Sequence, residues 1–76
     1  MKDTTVDDRI LAGLFDLTPA EASVAREIGL GRRVEDIAKS RDVSIGTIRA
    51  QLHSVFDKTG SRRQIDLARL VYGVAR

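Results

Sequence analysis

The chain contains no cysteine, a single histidine and no apolar run longer than six residues. The absence of cysteine excludes disulfides, thiolate zinc sites and cysteine nucleophiles, and it fits a reducing compartment. One histidine, His53, cannot form a multi-histidine metal site. We therefore expect no metal ion, no cofactor and no enzymatic activity, because this inventory offers neither a nucleophile–base pair nor a metal-ligand cluster.

The short apolar runs also argue against a membrane segment. A span takes about 20 consecutive apolar residues, whereas the longest runs, residues 10–15 and 70–75, have six residues each. Asp3, Asp7 and Asp8 stand where a signal peptide has a basic start followed by an apolar stretch. We expect no membrane partner and no export, and hence a cytoplasmic protein.

The remaining composition is typical of one small globular domain. The 76 residues are 42% hydrophobic and 32% charged, with one proline and six glycines, which argues against wholesale disorder. A chain of this length buries only about 60% of the surface exposed in its unfolded form, so a dimer partner would help to stabilise it. The apolar residues recur with helical spacing throughout, which predicts an all-α fold, a small four- to five-helix bundle.

Charge is distributed unevenly along the chain. Residues 1–31 carry three basic and six acidic side chains, and residues 32–76 carry ten basic and five acidic ones. Most of the basic residues are arginines, which bind phosphates and guanine edges in bidentate fashion more readily than lysines do. The asymmetry points to a polyanionic partner, although ordinary solvated helix faces explain it as well.

Two helices are predicted in the N-terminal third. An amphipathic helix lies within residues 1–16; it completes the core, extends a dimer or belongs to a regulatory domain outside this chain, and the sequence leaves these alternatives open. The second helix starts at Thr18, whose hydroxyl forms a capping box with the Glu21 carboxylate. Pro19 occupies the first helical position, where its missing N–H costs nothing.

Residues 34–58 predict a helix-turn-helix. A short third helix covers about residues 34–40, and a fourth covers about residues 44–58, with Ser44 as its N-cap. Asp42, in the connector, is one of the few non-glycine residue types that tolerate a left-handed backbone. Two such helices joined by a three-residue turn are typical of DNA-binding helix-turn-helix units.

The fourth helix has two different sides. Its apolar residues are expected to face the core: Ile48, Leu52, Val55 and Phe56. Near its start, the outward side carries Arg49, Ala50 and His53, which are available to a groove about 12 Å wide. Thr47 lies at the open N-terminus of the helix, where phosphates bind. For His53, an interaction with Asp57 at i+4 is an equal alternative.

A fifth helix, predicted for about residues 62–75, is apolar on two sides. Ile65, Ala68 and Tyr72 are expected to face the core. The second stripe is more apolar surface than one core needs, and it therefore predicts a dimer interface formed by Leu67, Leu70, Val71 and Val74. The alternative is that both stripes belong to the core.

Residues 17 to about 75 resemble the LuxR/GerE type of helix-turn-helix domain, which is also the effector half of NarL- and FixJ-like response regulators. The matching segments, in order and without a gap, are LTPAE at 17–21, EDIA at 35–38, VS at 43–44, TIR at 47–49 and VFDKTG at 55–60. Residues 1–16 lie outside the match and are treated as a separate N-terminal unit beside the domain at 17–76.

The resemblance implies a tetrahelical domain that dimerises through its last helix and binds two half-sites. The residues that it places at base edges are Arg49, Ala50 and His53. Those expected near phosphates are Arg33, Ser44, Thr47, Lys58, Arg62 and Arg63. The chain departs from the family at Glu35, where a lysine is common, and at Arg33, where the scaffold helix often begins with a serine or threonine cap. Further departures are Ala20, Gln51 and Thr59. Ala50 offers a base only contact with a thymine methyl.

These observations predict a sequence-specific DNA-binding transcriptional regulator, acting as a homodimer on double-stranded DNA in the bacterial nucleoid. RNA polymerase is a further candidate partner, and no small-molecule site is expected. Two alternatives stay open. One is an adapter that uses the same fold to sequester another regulator; the other is a promoter-recognition domain like that of a sigma factor, which works as a monomer.

Overall fold

The computed structural model describes residues 8–73, and over this range the fold is all-helical. Five α-helices are followed by a short π-helical turn: α1 (Asp8–Phe15), α2 (Pro19–Gly29), α3 (Val34–Arg41), α4 (Ile45–Thr59), α5 (Gln64–Ala68) and the turn Arg69–Gly73. The predicted small all-α bundle is confirmed.

Helix α2 is the centre of the bundle, since it packs against each of the other four helices and the π-helical turn. Its start is held by the predicted capping box. The Glu21 N–H donates to Thr18 Oγ1 over 3.1 Å, and the Thr18 N–H donates to Glu21 Oε1 over 2.9 Å. Pro19 occupies the first helical position, as predicted.

Helices α3 and α4 form the predicted helix-turn-helix pair and pack against each other. Asp42 closes α3 in the left-handed conformation, with φ 56° and ψ 45°. Ser44 then caps α4, because its Oγ accepts the Thr47 N–H at 3.0 Å. Helix α3 begins without a side-chain cap, since the guanidinium of Arg33 has no acceptor to offer.

One core joins all the elements. Its buried apolar side chains are Leu11, Leu17, Ala22, Val24, Ala25, Ile28, Ile37, Ala38, Ile48, Val55, Leu67 and Val71. Leu11 belongs to α1, so the first helix contributes to the core, one of the three roles left open by the sequence. Two other apolar residues of α1, Ile10 and Leu14, stay exposed.

The prediction for the last helix was wrong about which side faces inward. Leu67 and Val71, expected at a dimer interface, are each 1% exposed in the core, whereas Ile65 and Tyr72, expected in the core, are 51% and 45% exposed. Leu70 is half-buried against the core. Val74 lies outside the described residues.

Gly29 accounts for this orientation. A Cβ at this position would lie 2.7 Å from Val71 Cγ2 and 3.0 Å from the backbone oxygen of Leu67. Because glycine has no side chain, the last helix approaches α2 closely along the side that carries these two residues. The predicted start near residue 62 is also too early by two positions, since α5 begins at Gln64.

Candidate nucleic-acid interface

Helix α4 has a buried inner side and an exposed outer side, as predicted. Ile48 and Val55 are buried, and Leu52 and Phe56 are partly buried against the core. The outer ridge consists of exposed residues at helical spacing: Gly46, Ala50, His53 and Asp57. The helix therefore presents to solvent, over most of its length, a ridge of small and polar residues without a large apolar side chain.

Arg49 lies along one margin of this ridge. Its side chain is exposed, and no described residue makes a hydrogen bond or ion pair with it. Arg49 and Arg33 line the same cleft. The fold thus brings together one residue predicted to contact bases and one predicted to contact phosphate.

Lys58 lies along the other margin. It follows Arg49 by nine residues, about two and a half helical turns, which puts it on the opposite side of the helix. Its Nζ donates to Glu21 Oε1 over 2.9 Å, and Ser54 Oγ donates to Glu21 Oε2 over 2.6 Å. Lys58 therefore has an acidic partner that no local sequence pattern reveals.

The Glu21 carboxylate connects α4 to the first turn of α2. Hydrogen bonds from the Ser54 hydroxyl, from Lys58 and from the Thr18 backbone lower the pKa of Glu21 to about 2. The carboxylate is therefore ionised throughout the neutral range, and it fixes the Lys58 margin of α4 against the bundle.

At the N-terminus of α4, Ser44 and Thr47 contact each other. Their hydroxyl oxygens lie 2.9 Å apart, and both side chains are exposed. The first turn of a helix favours an anion because the N–H groups point out of its end. These two residues are placed where the sequence predicted a phosphate contact.

His53 and Asp57 face each other across one helical turn. The distance from His53 Nε2 to Asp57 Oδ2 is 3.6 Å, and the two side chains are 81% and 72% exposed. This distance is too long for a good hydrogen bond, although it allows an ion pair when the histidine is protonated. The imidazole stays accessible, so both interpretations of His53 remain predictions.

The other predicted phosphate contacts are exposed. Arg33 Nε lies 3.8 Å from Glu35 Oε1. The backbone N–H groups of Arg62 and Arg63 donate to Asp66 Oδ2 over 3.1 and 3.2 Å, which starts α5. These hydrogen bonds, that of Arg62 first, lower the pKa of Asp66.

A cleft of about 340 Å³ lies where the end of α2, the start of α3, the middle of α4 and the start of α5 meet. Arg32, Arg33 and Arg49 line it together with partly buried apolar side chains. Sequence reasoning missed the cleft because its walls come from four separated segments and no local motif marks it.

Comparison of the chain with protein-family models, with curated proteins and with solved structures gives no match. No helix within residues 8–73 combines the length and apolar character needed to cross a bilayer. Within that range, no group of three histidine, cysteine or acidic side chains is arranged to hold a metal ion.

Proposed function

We propose that the chain is a sequence-specific DNA-binding transcriptional regulator whose helix α4 enters the major groove. The observation that carries the proposal is the two-sided character of α4. Its inner side is fixed in the core. Its outer side is exposed, carries small and polar residues, and is bordered by Arg49, which has no partner among the described residues. A helix of this kind fits a groove about 12 Å wide.

Basic residues at both margins of α4 support the proposal. A helix in the major groove is flanked by the phosphates of both strands, which position the protein without specifying sequence. Arg33 accompanies Arg49 along one margin, and Lys58 lies along the other. The Glu21 carboxylate reduces the contribution of Lys58, whereas Arg62 and Arg63 add exposed charge before α5.

Base reading would rest on few side chains. Arg49 is suited to bidentate contact with guanine, and His53, one turn further along, adds a single hydrogen bond. Ala50 offers a methyl group to thymine. Because this set is small, one domain would discriminate only modestly between DNA sequences. A second copy bound to the same DNA would raise the specificity.

The exposed side of the last helix supports a homodimer. Ile65 and Tyr72 present apolar surface there. We therefore propose that these two residues, and not the buried Leu67 and Val71, form the dimer interface. A two-fold dimer would bind half-sites whose centres lie about one helical turn, ~10 bp, apart. The resemblance of residues 17–75 to LuxR/GerE-type domains supports the same arrangement, with RNA polymerase as a further partner and the nucleoid as the location.

The test is selection of bound DNA from random genomic fragments at two salt concentrations. We expect enrichment of two-fold-related sites and affinity that falls with salt, as counterion release requires. Arg49→Ala should weaken specific binding by about 1–3 kcal/mol, roughly 5- to 150-fold, and relax the sequence preference at one position. Arg9→Ala, which removes a positive charge from α1, is the matched control.

Retention of DNA without enrichment, equal for both variants, would contradict sequence-specific recognition and leave only non-specific charge. A monomer bound to single half-sites would favour a promoter-recognition domain of the sigma-factor kind. Each outcome is read from the sequences recovered and from the stoichiometry on one purified site.

The adapter remains a second candidate, favoured by acidic neighbours of predicted DNA contacts. Glu21 pairs with Lys58, and Glu35 lies near Arg33. These carboxylates reduce the attraction of the surface for phosphates and would suit a mixed-charge protein surface. Absence of DNA retention even at low salt would support the adapter over the regulator.

A further inference from the structure

The cleft beside α4 combines an apolar wall with a basic rim. Val34, Leu52 and Phe56 line it and are only partly buried, so part of their apolar surface is accessible from the cleft. Its volume of about 340 Å³ lies at the lower end of the range for small-molecule sites, ~300–1,000 Å³. It is therefore sized for a small ligand.

The rim carries an excess of positive charge. Arg32, Arg33 and Arg49 line the cleft, and Glu35 is the acidic residue among the lining side chains. Arg32 is engaged by Glu27 at 2.7 Å, and Arg33 Nε lies 3.8 Å from Glu35.

Arg49 has no partner among the described residues. Its guanidinium is therefore the group most available to an anion, and a carboxylate accepts two hydrogen bonds from such a fork.

We propose that this cleft binds a small amphipathic monoanion, a carboxylate that carries a short acyl or aryl tail. The carboxylate contacts Arg49 and Arg33, and the tail covers Leu52 and Phe56. An inorganic anion lacks the tail and a neutral alcohol lacks the charge, so either alone satisfies half of the site. The cleft thus differs from a surface that attracts any polyanion.

A ligand in the cleft would also affect DNA binding. This effect is the one part of the inference that rests on the proposed function. Arg49 and Arg33 belong both to the cleft and to the surface proposed for DNA. A carboxylate held by Arg49 would remove the main base-reading group from the groove, so ligand and DNA compete. The amphipathic anion would then act as an inhibitor of DNA binding.

The binding test uses octanoate, titrated into the full chain without DNA and followed by amide chemical shifts. We expect saturable shifts confined to residues around the cleft, with acetate and octanol each binding at least tenfold more weakly. Arg49→Gln should weaken octanoate up to about fivefold, the range for one exposed charged contact. Glu35→Gln should strengthen it, because it removes the competing carboxylate.

Lys39→Gln, an exposed change on α3 that is not among the cleft residues, is the matched control and should leave the affinity unchanged. The proposal is overturned by shifts that do not saturate, by octanol binding as well as octanoate, or by equal losses in Lys39→Gln and Arg49→Gln. None of these readouts depends on DNA or on the folding of a core variant.

A second arm separates this proposal from the proposed function. Octanoate is added to the complex with an enriched DNA site, and release in proportion to cleft occupancy supports competition. If the chain binds octanoate and no DNA, the cleft proposal is supported and the proposal of a DNA-binding regulator fails. If it binds DNA and not octanoate, the proposal of a DNA-binding regulator is supported and the cleft proposal fails.

Discussion

Helix α4 and the last helical segment both pack on α2, yet charged hydrogen bonds hold only the first of them there. Helix α4 is fixed by apolar residues and, in addition, by two side-chain hydrogen bonds, from Ser54 and Lys58 to Glu21. The segment formed by α5 and the π-helical turn is held by close contact of Leu67 and Val71 with Gly29, and by one side-chain hydrogen bond, from Gln64 Nε2 to the Ile28 carbonyl oxygen over 3.0 Å.

The outward surfaces of these two elements differ in the same way. Helix α4 presents a ridge of small and polar residues bordered by basic side chains, which suits a charged, hydrogen-bonding partner. The last segment presents Ile65 and Tyr72, which suit another apolar surface. Hydrogen bonds to an ionised carboxylate help to fix the helix that would read bases, whereas close apolar packing and one neutral hydrogen bond fix the helix that would join two copies.

The largest effect should come from removing the apolar contact that holds the last segment. Leu67→Ala leaves a cavity beside a side chain that is 1% exposed, and we expect a loss of about 2–5 kcal/mol in the free energy of unfolding. Urea denaturation measures it. Ile65→Ala is the matched control at an exposed site, expected to cost less than about 1 kcal/mol. A larger loss from Ile65→Ala than from Leu67→Ala would restore the inward orientation predicted from sequence.

A second change tests the close approach at Gly29. The added Cβ of Gly29→Ala meets Val71 Cγ2 and the Leu67 backbone oxygen, and such overpacking costs roughly 1–3 kcal/mol. Over most of this range the cost exceeds the gain of about 1 kcal/mol in helix propensity, so we expect net destabilisation. Gly13→Ala in α1 meets nothing within 4 Å, and it should stabilise the protein. Stabilisation by both variants would show that Val71 and the Leu67 backbone shift to accommodate the added Cβ at little cost.

The contrast between the two elements also explains what the sequence could predict. The capping box at Thr18, the left-handed Asp42 and the Ser44 cap are local signals, and each predicted a helix boundary that the structure confirms. The inner side of α4 followed from a single apolar stripe. In the last helix two stripes of similar apolar content compete, and periodicity alone does not distinguish the inner one.

Contacts between distant segments lay beyond sequence reasoning altogether. Glu21 and Lys58 are 37 residues apart. The capping box is by itself a sufficient reason for a glutamate at position 21, so the sequence gives no sign that Lys58 is its second partner. The cleft likewise joins Arg33 to Arg49 only once α3 and α4 are packed. Such pairings depend on how the helices cross, which apolar spacing leaves undetermined.

The polar attachment of α4 should show a pH dependence. Because the pKa of Glu21 is lowered from 4.5 to about 2 on folding, its contribution to stability is complete above about pH 4.5 and is lost as the pH falls towards 2. Glu21→Gln should cost about 1–2 kcal/mol at pH 7, with a difference from the wild type that shrinks over this window.

Denaturation at several pH values measures the difference, and Glu35→Gln serves as the control. Glu35 is half exposed beside Arg33, so its replacement should change stability by less than about 0.5 kcal/mol. A Glu21→Gln deficit that persists unchanged at pH 2 would mean that the lost contact is one of packing and not of charge.

A substitution on the exposed side of the last helix should have the smallest effect on stability and a large effect on dimerisation. Ile65→Lys replaces a side chain that is 51% exposed, so the free energy of unfolding of the monomer should change by no more than about 0.5 kcal/mol. Sedimentation equilibrium should nevertheless show a shift from dimer to monomer, because a charge in an apolar interface loses its water without gaining a partner. Ile10→Lys on α1 is closely matched, at 53% exposed, and should leave association intact. The reverse result, dissociation by Ile10→Lys alone, would assign the interface to α1 and leave α5 with an apolar surface that joins nothing.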